Sequence, residues 1–226
     1  MNRRSLPGWA KAAIAAVVVG SVLFGTAGTL VWWQGWAVLI VYEALVLALT
    51  VLVLDTSPDL VAERATARQQ ARKWDRVLVP LMALMFPVAI VVAGLDRRLG
   101  WSHGVSDLEC VVALVVGGAA NLVTIWAMRT NRFFSSYVRI QDERGHAVVD
   151  TGPYARVRHP GYLGSLVYNV LLPSALGSRM ALLPAIAFVV VTVIRTALED
   201  ATLLRELPGY EAYARRVTYR LLPPVW

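Results

Sequence analysis

Apolar and polar positions fall in long blocks along this chain, not in the short alternation of a soluble helix or strand. Residues 12–31, 37–54, 77–95 and 108–128 are nearly continuous apolar runs. Each lies close to the ~20 residues a helix needs to cross a bilayer core. Two shorter runs follow, 163–176 and 180–194, separated by Gly177-Ser178-Arg179 and flanked by Pro173 and Pro184. They read as the arms of a helical hairpin that crosses obliquely. The pattern predicts an all-α polytopic membrane protein: about four transmembrane helices, a C-terminal helical hairpin, and an amphipathic cytoplasmic tail over 195–226. One membrane-embedded domain, 1–226, accounts for the whole chain, with the transmembrane helices in 1–128 and the polar-rich half in 129–226.

The connectors carry their own signals. The first run follows Arg3, Arg4 and Lys11, the charge-then-apolar plan of a signal peptide. It is long, lacks an A-x-A site and is followed at once by a second run, so a retained helix is expected. Trp32 to Trp36 reads as a turn with interfacial tryptophans. Residues 55–76 are amphipathic, with Ser57 as cap, Pro58 as first helical residue, and Glu63, Arg64, Arg68, Arg72 and Lys73 on a solvated face. This stretch reads as an interfacial connecting helix. Pro80 and Pro87 interrupt the third run as kinks that membrane helices tolerate. Gly117, Gly118 and Ala119 form a close-packing face, and Ser21-x3-Gly25 is a second small-residue contact. Glu43, inside the second run, is either a functional carboxylate or a protonated structural one.

Composition agrees with the pattern. The chain is 57% hydrophobic and only 16% charged, against about 25% charged in soluble domains, and its mean hydropathy is +0.56. Nineteen lysines and arginines fall in the N-terminus, the second and fourth connectors and the tail; only Arg97, Arg98 and Arg179 fall on the other side. This asymmetry predicts that both termini and both large loops are cytoplasmic. The net charge of +7 is thus topogenic and lipid-directed, which argues against a nucleic-acid partner. Cys110 is the only cysteine, so no intrachain disulfide or thiolate cluster can form. His103, His146 and His159 form no i,i+4 pair and no HExxH, so no metal is expected.

The densest chemistry lies in residues 146–164, HAVVDTGPYARVRHPGYLG. Gly152-Pro153, Pro160-Gly161 and Gly164 keep this stretch from being a plain helix. Two arginines, a histidine and two tyrosines fall between Tyr154 and Tyr162. Such a loop either holds a polar ligand at the bilayer edge or merely fixes topology. In the tail, Arg195 and Glu199 share a helix face at i,i+4, with Asp200 adding a second carboxylate. They read as an intrahelical ion pair or as part of a site shared with the loop.

Taken together, Gly152-Pro153-Tyr154, Arg158-His159-Pro160-Gly161-Tyr162-Leu163-Gly164, Arg195-x3-Glu199-Asp200 and Gly209-Tyr210-x2-Tyr213 resemble the isoprenylcysteine carboxyl methyltransferase family. The bacterial members and the related phospholipid methyltransferases are included in that resemblance. Pro58-Asp59-Leu60 to Trp74-Asp75-Arg76 is similar to the bacterial members, and the strongest likeness runs from Gln141 to the C-terminus. The resemblance implies an integral-membrane enzyme of the bacterial inner membrane, using S-adenosylmethionine in the half 129–226. It further implies that Gln141, His146, Ala147, Val148, Val149, Tyr154, His159, Pro160, Gly161, Tyr162 and Glu199 bind the cofactor. Arg195, with Glu199, would serve catalysis, and its guanidinium would clamp a carboxylate on a hydrophobic or prenylated acceptor. Where related members often have Glu-Glu, this chain has Glu199-Asp200. No Rossmann GxGxxG follows a strand, so the common soluble methyltransferase fold is not expected. The competing readings are an NADPH-dependent membrane reductase similar to the sterol reductases, which typically carry Asn where this chain has Gly161, and a non-enzymatic membrane scaffold or transport subunit.

Overall fold

A computed structural model describes residues 7–54 and 56–226, without the side chains of residues 58, 61, 62 and 64–66. Arg3 and Arg4, and the side chain of Arg64, fall outside the described residues. Among these residues the chain is helical, with no strand: α1 (Gly8–Ala27), α2 (Trp33–Leu49) continued by a π-helical turn (Thr50–Leu54), α3 (Pro58–Gln70), α4 (Asp75–Leu99), α5 (Asp107–Thr130), α6 (Pro160–Ala175), α7 (Leu182–Glu206) and α8 (Tyr210–Arg216). Five segments are long and apolar enough to cross a membrane: α1, α2 with its π turn, α4, α5 and α7.

Local sequence explains where these helices start and stop. α1 and α4 end on Gly28 and Gly100, both left-handed at φ 68° and 66°. Glycine takes that conformation without steric cost, and each N–H closes back on the last turn. Ser106 caps α5 by accepting a hydrogen bond from the Glu109 N–H at 3.1 Å. Asp107 and Glu109 add negative charge where the helix dipole favours it. Pro160 starts α6, where its missing N–H costs nothing. Pro80 and Pro87 sit within a continuous α4.

α5 and α6 make the most extensive helix pair; α4 joins α1 to α7, and α2 packs on α1 and α5. The core between them contains Leu23, Trp32, Val38, Ile90, Ala93 and Leu172, while Val17, Leu108, Val115 and Leu183 point outward. Apolar surface left outside as well as inside is what a helix bundle in lipid needs. Gly117 lies against Leu171 and Tyr168 of α6, and Gly118 against Val41 of α2, as the small-residue face predicts. Cys110 is buried.

Two expectations are corrected. Glu63, expected on a solvated face of residues 55–76, is only 4% exposed because it pairs with the buried Arg139. Trp32 is only 3% exposed and packs edge-on against Phe24 in the core, so it is not an interfacial anchor; Trp33 and Trp36 are the exposed members of that turn. The helix expected to carry Arg195 and Glu199 on one face is α7, which runs unbroken from the second hairpin arm through Arg195, Glu199 and Asp200 to Glu206. Those charged residues find partners on other elements, so the helix can carry them without ending.

The two ends of the bundle differ. At one, Asp96 closing α4 accepts hydrogen bonds from the Ser102 N–H at 2.7 Å, the Ser102 and Ser178 hydroxyls, and the Met180 N–H. This ties α4 to the hairpin turn. At the other, the polar loop 131–159 and the C-terminal tail come together.

Candidate functional site

After α5 the chain turns at Asn131, whose Oδ1 accepts from the Phe133 N–H at 2.9 Å. The following loop has no long helix to satisfy its backbone, and side chains from distant elements do so instead. Asp75 Oδ2 accepts from the Val138 N–H at 2.6 Å, and the Arg72 N–H donates to Val138 O at 3.2 Å. Arg139, buried, pairs with Glu63 of α3 and with Glu143. The Arg139 hydrogen bonds hold both carboxyls below the usual glutamate range, and the same bonds push the guanidinium pKa up.

Gln141, 1% exposed, donates from Nε2 to Phe133 O at 2.7 Å and takes a bond from Arg144 on Oε1. His146 accepts the Gln141 N–H on Nδ1 at 3.3 Å. Burial lowers the pKa of this imidazole below its ordinary 6.5, against the opposing charge of Asp142. The ring is therefore a neutral acceptor near pH 7.

The motif joins the tail through backbone: the Arg158 N–H donates to Tyr219 O at 2.9 Å and the His159 N–H to Arg220 O at 3.0 Å. Tyr213 donates to Tyr154 O at 2.8 Å. Burial raises the pKa of both tyrosines, which keeps their hydroxyls protonated as donors. Asp200, fully buried, gathers four partners: Arg158 Nη1 at 3.0 Å, Arg220 Nε at 2.8 Å, Tyr210 OH at 2.9 Å and His159 Nε2 at 3.3 Å. The shorter carboxylate of the Glu199-Asp200 pair is thus a structural hub that locks the tail onto α7.

These contacts enclose a cleft with about 710 Å³ of atom-free space, its open mouth included. Gln141, His146, Tyr154, His159, Gly161, Tyr162 and Glu199 line it. Tyr162 donates to Glu199 Oε2, its ring lies parallel to His159 at 5.8 Å, and the Arg195 guanidinium sits 5.0 Å from the ring centre.

The remaining expected residues lie elsewhere. Ala147 is exposed, Val149 is half-buried, and Val148 packs on the tail cluster of Leu207, Tyr210 and Tyr213; Pro160 is the buried first residue of α6. None of these four lines the cleft, and neither does Arg195. Arg195 Nε and Nη2 are held by Asp75 at 2.7 and 3.1 Å, and Nη2 also reaches Ser136 O at 2.9 Å. The two-pronged fork expected to face an acceptor carboxylate already grips one from α4. The intrahelical pairing with Glu199 is not formed either, because Glu199 bonds to Tyr162.

Several lining residues lie outside the set that the resemblance implies. Phe133, Phe134 and Tyr137 bring aromatic surface, Arg139 brings charge and Leu203 closes the α7 side, while Arg158 and Tyr210 belong to the motifs but carry no implied role there. An aromatic cluster inside an otherwise polar stretch was the available signal. The buried Nε of Arg158 has no hydrogen-bond partner among the described residues. An unpaired buried donor on a cleft wall suits an anionic ligand group.

Residues 111–205 match the model of the Isoprenylcysteine carboxyl methyltransferase (ICMT) family. The matched stretch runs from α5 through the loop, the motif and α6 to the last turn of α7, so it holds nearly the whole cleft wall. The resemblance drawn from the motifs is borne out over these residues, and the match supports a membrane methyltransferase in general. A search of curated proteins finds no match.

Proposed function

We propose that the protein is an integral-membrane, S-adenosylmethionine-dependent methyltransferase whose acceptor is a hydrophobic or prenylated molecule carrying a carboxylate. The observation that carries this reading is the cleft itself. It gathers Gln141, His146, His159, Tyr162 and Glu199 from separate parts of the chain, inside the stretch that matches the methyltransferase family.

The donor set suits the cofactor. Phe133, Phe134 and Tyr137 offer flat apolar surface for an adenine. Glu199 suits ribose hydroxyls or an ammonium, while Arg158, with its free buried Nε, and His159 suit a carboxylate. When bound, the cofactor supplies a methyl group on a positively charged sulfur. A carboxylate acceptor arrives ionised and needs no proton removed. What remains for the chain is orientation and exclusion of water. Arg195 serves as a positioning residue, pressing on the ring of Tyr162 and so fixing the direction of its bond to Glu199. By the distribution of basic residues the site faces the cytoplasm, and the likeness to bacterial members implies the inner membrane.

Calorimetric titration of the purified full chain tests the reading. S-adenosylmethionine should bind and NADPH should not; the reverse would make the chain a reductase, and binding of neither would favour a scaffold. Membranes given methyl-labelled cofactor should then yield a labelled lipophilic methyl ester. A labelled amine in its place would refute the carboxylate acceptor.

A further inference from the structure

A second concavity opens at the same end of the bundle, between the start of α3 and the end of α5. Arg129, Arg132 and Arg144 line it with Thr56, Ser57 and a single carboxylate, Asp59. The arginines that build the cleft are each engaged by a carboxylate: Arg139 by Glu63 and Glu143, Arg158 and Arg220 by Asp200, Arg195 by Asp75. Arg129, Arg132 and Arg144 form no ion pair with the described residues. Arg132 lies against the Phe133 ring at 4.9 Å, and Arg144 donates to Arg132 O at 2.9 Å and to Gln141 Oε1, so two of the three are held in place by uncharged groups. Ser57 makes no side-chain cap at the α3 N-terminus, which leaves positive dipole beside the arginines.

The position identifies the ligand class. The candidate spans 33–54 and 107–130 both end at this concavity. Below it, Leu122 and Trp126 of α5 and Val51 and Leu52 of the π turn are exposed apolar residues. Arginines that only set topology need no shared hollow; these three converge on one directly above an apolar flank.

We infer that this concavity binds the phosphate of an anionic phospholipid, with the acyl chains lying along the exposed flank of α5 and the π turn. The charge chemistry would also accept free phosphate, but the apolar flank commits the site to lipid.

The test is native mass spectrometry of the detergent-solubilised full chain titrated with phosphatidylglycerol or phosphatidylcholine. Phosphatidylglycerol should be retained at least about tenfold better. Each basic side chain near a membrane surface contributes about fivefold, so Arg129→Gln should weaken retention about fivefold and Arg129→Gln/Arg132→Gln about 25-fold. Arg215→Gln, at an exposed pair with Glu211 that does not line the hollow, should leave retention unchanged. Equal retention of the two lipids, or an equal loss in Arg215→Gln, overturns the site. Displacement of phosphatidylglycerol by millimolar inorganic phosphate overturns the lipid assignment.

Discussion

The carboxylate of Asp75 holds the guanidinium of Arg195 across 120 residues of sequence, Oδ1 to Nε at 2.7 Å and Oδ2 to Nη2 at 3.1 Å. Asp75 also accepts the Val138 N–H. One buried carboxylate therefore fixes the start of α4, the middle of α7 and the loop that walls the cleft.

Removing that carboxylate leaves a buried arginine without its partner. Asp75→Asn should cost about 3–5 kcal/mol of stability. Asp75→Asn combined with Arg195→Gln should cost less than the two single changes together, because neither charge is then stranded. Thermal unfolding of all three variants in one detergent measures the coupling; strict additivity would mean that the pair does not act as a unit.

Arg195 itself separates positioning from clamping. As a positioning residue it acts through Tyr162, so Arg195→Ala should lose cofactor affinity and turnover together. Arg195→Lys should recover little of either, since an ammonium cannot reproduce the fork on Asp75. Unchanged cofactor affinity beside collapsed turnover would return Arg195 to the acceptor.

Tyr162 and Glu199 form a direct polar contact on the wall of the cleft proposed for the cofactor. Tyr162→Phe and Glu199→Gln should each weaken S-adenosylmethionine binding about tenfold or more, the loss expected of one charged hydrogen bond, about 1.5–3 kcal/mol. Calorimetry on folded variants decides the matter, and wild-type affinity in both would remove the pair from the site.

Glycine in the motif can be tested by contrast. A Cβ on Gly164 would meet Ala120 O at 2.4 Å and Thr124 N at 2.9 Å, both backbone atoms of α5. Gly164→Ala should therefore cost at least about 1–3 kcal/mol by forcing α5 and α6 apart. On α1, Gly25, expected in a small-residue contact, makes none within the described residues and meets nothing within 4 Å, so Gly25→Ala should gain about 0.5–1 kcal/mol from helix propensity. Equal effects in unfolding experiments would refute the packing explanation.

Acidification should act in two windows. Burial depresses the His146 pKa below 6.5, so as pH falls past that value the unfolded chain takes up a proton that the folded chain resists. Stability should fall there, and His146→Gln should flatten that part of the curve. Glu63, depressed below 4.5 by Arg139, contributes stability above 4.5 that is lost only as pH falls through its lower folded value. Unfolding temperatures taken from pH 7 to 3.5 resolve the two. An unchanged upper window in His146→Gln would sink the assignment.

The membrane architecture was legible in the sequence because a span is a local property: some twenty apolar residues report their own environment without reference to any partner. The glycine stops, the Ser106 cap and Pro160 at the start of α6 are local in the same sense. The motif stretch was readable as chemistry because its proline and glycine content forbids a plain helix and its donors are crowded together. What the sequence left open was pairing. Arg195 and Glu199, one turn apart on α7, invited each other, yet Asp75 on α4 takes the first and Tyr162 on α6 takes the second. A carboxylate 120 residues away competes with one four residues away only once packing has removed water and fixed both geometries. The same holds for Asp200, whose four partners come from the motif and the tail, and for Phe133 and Phe134, which became a cleft wall only when the loop closed over α7.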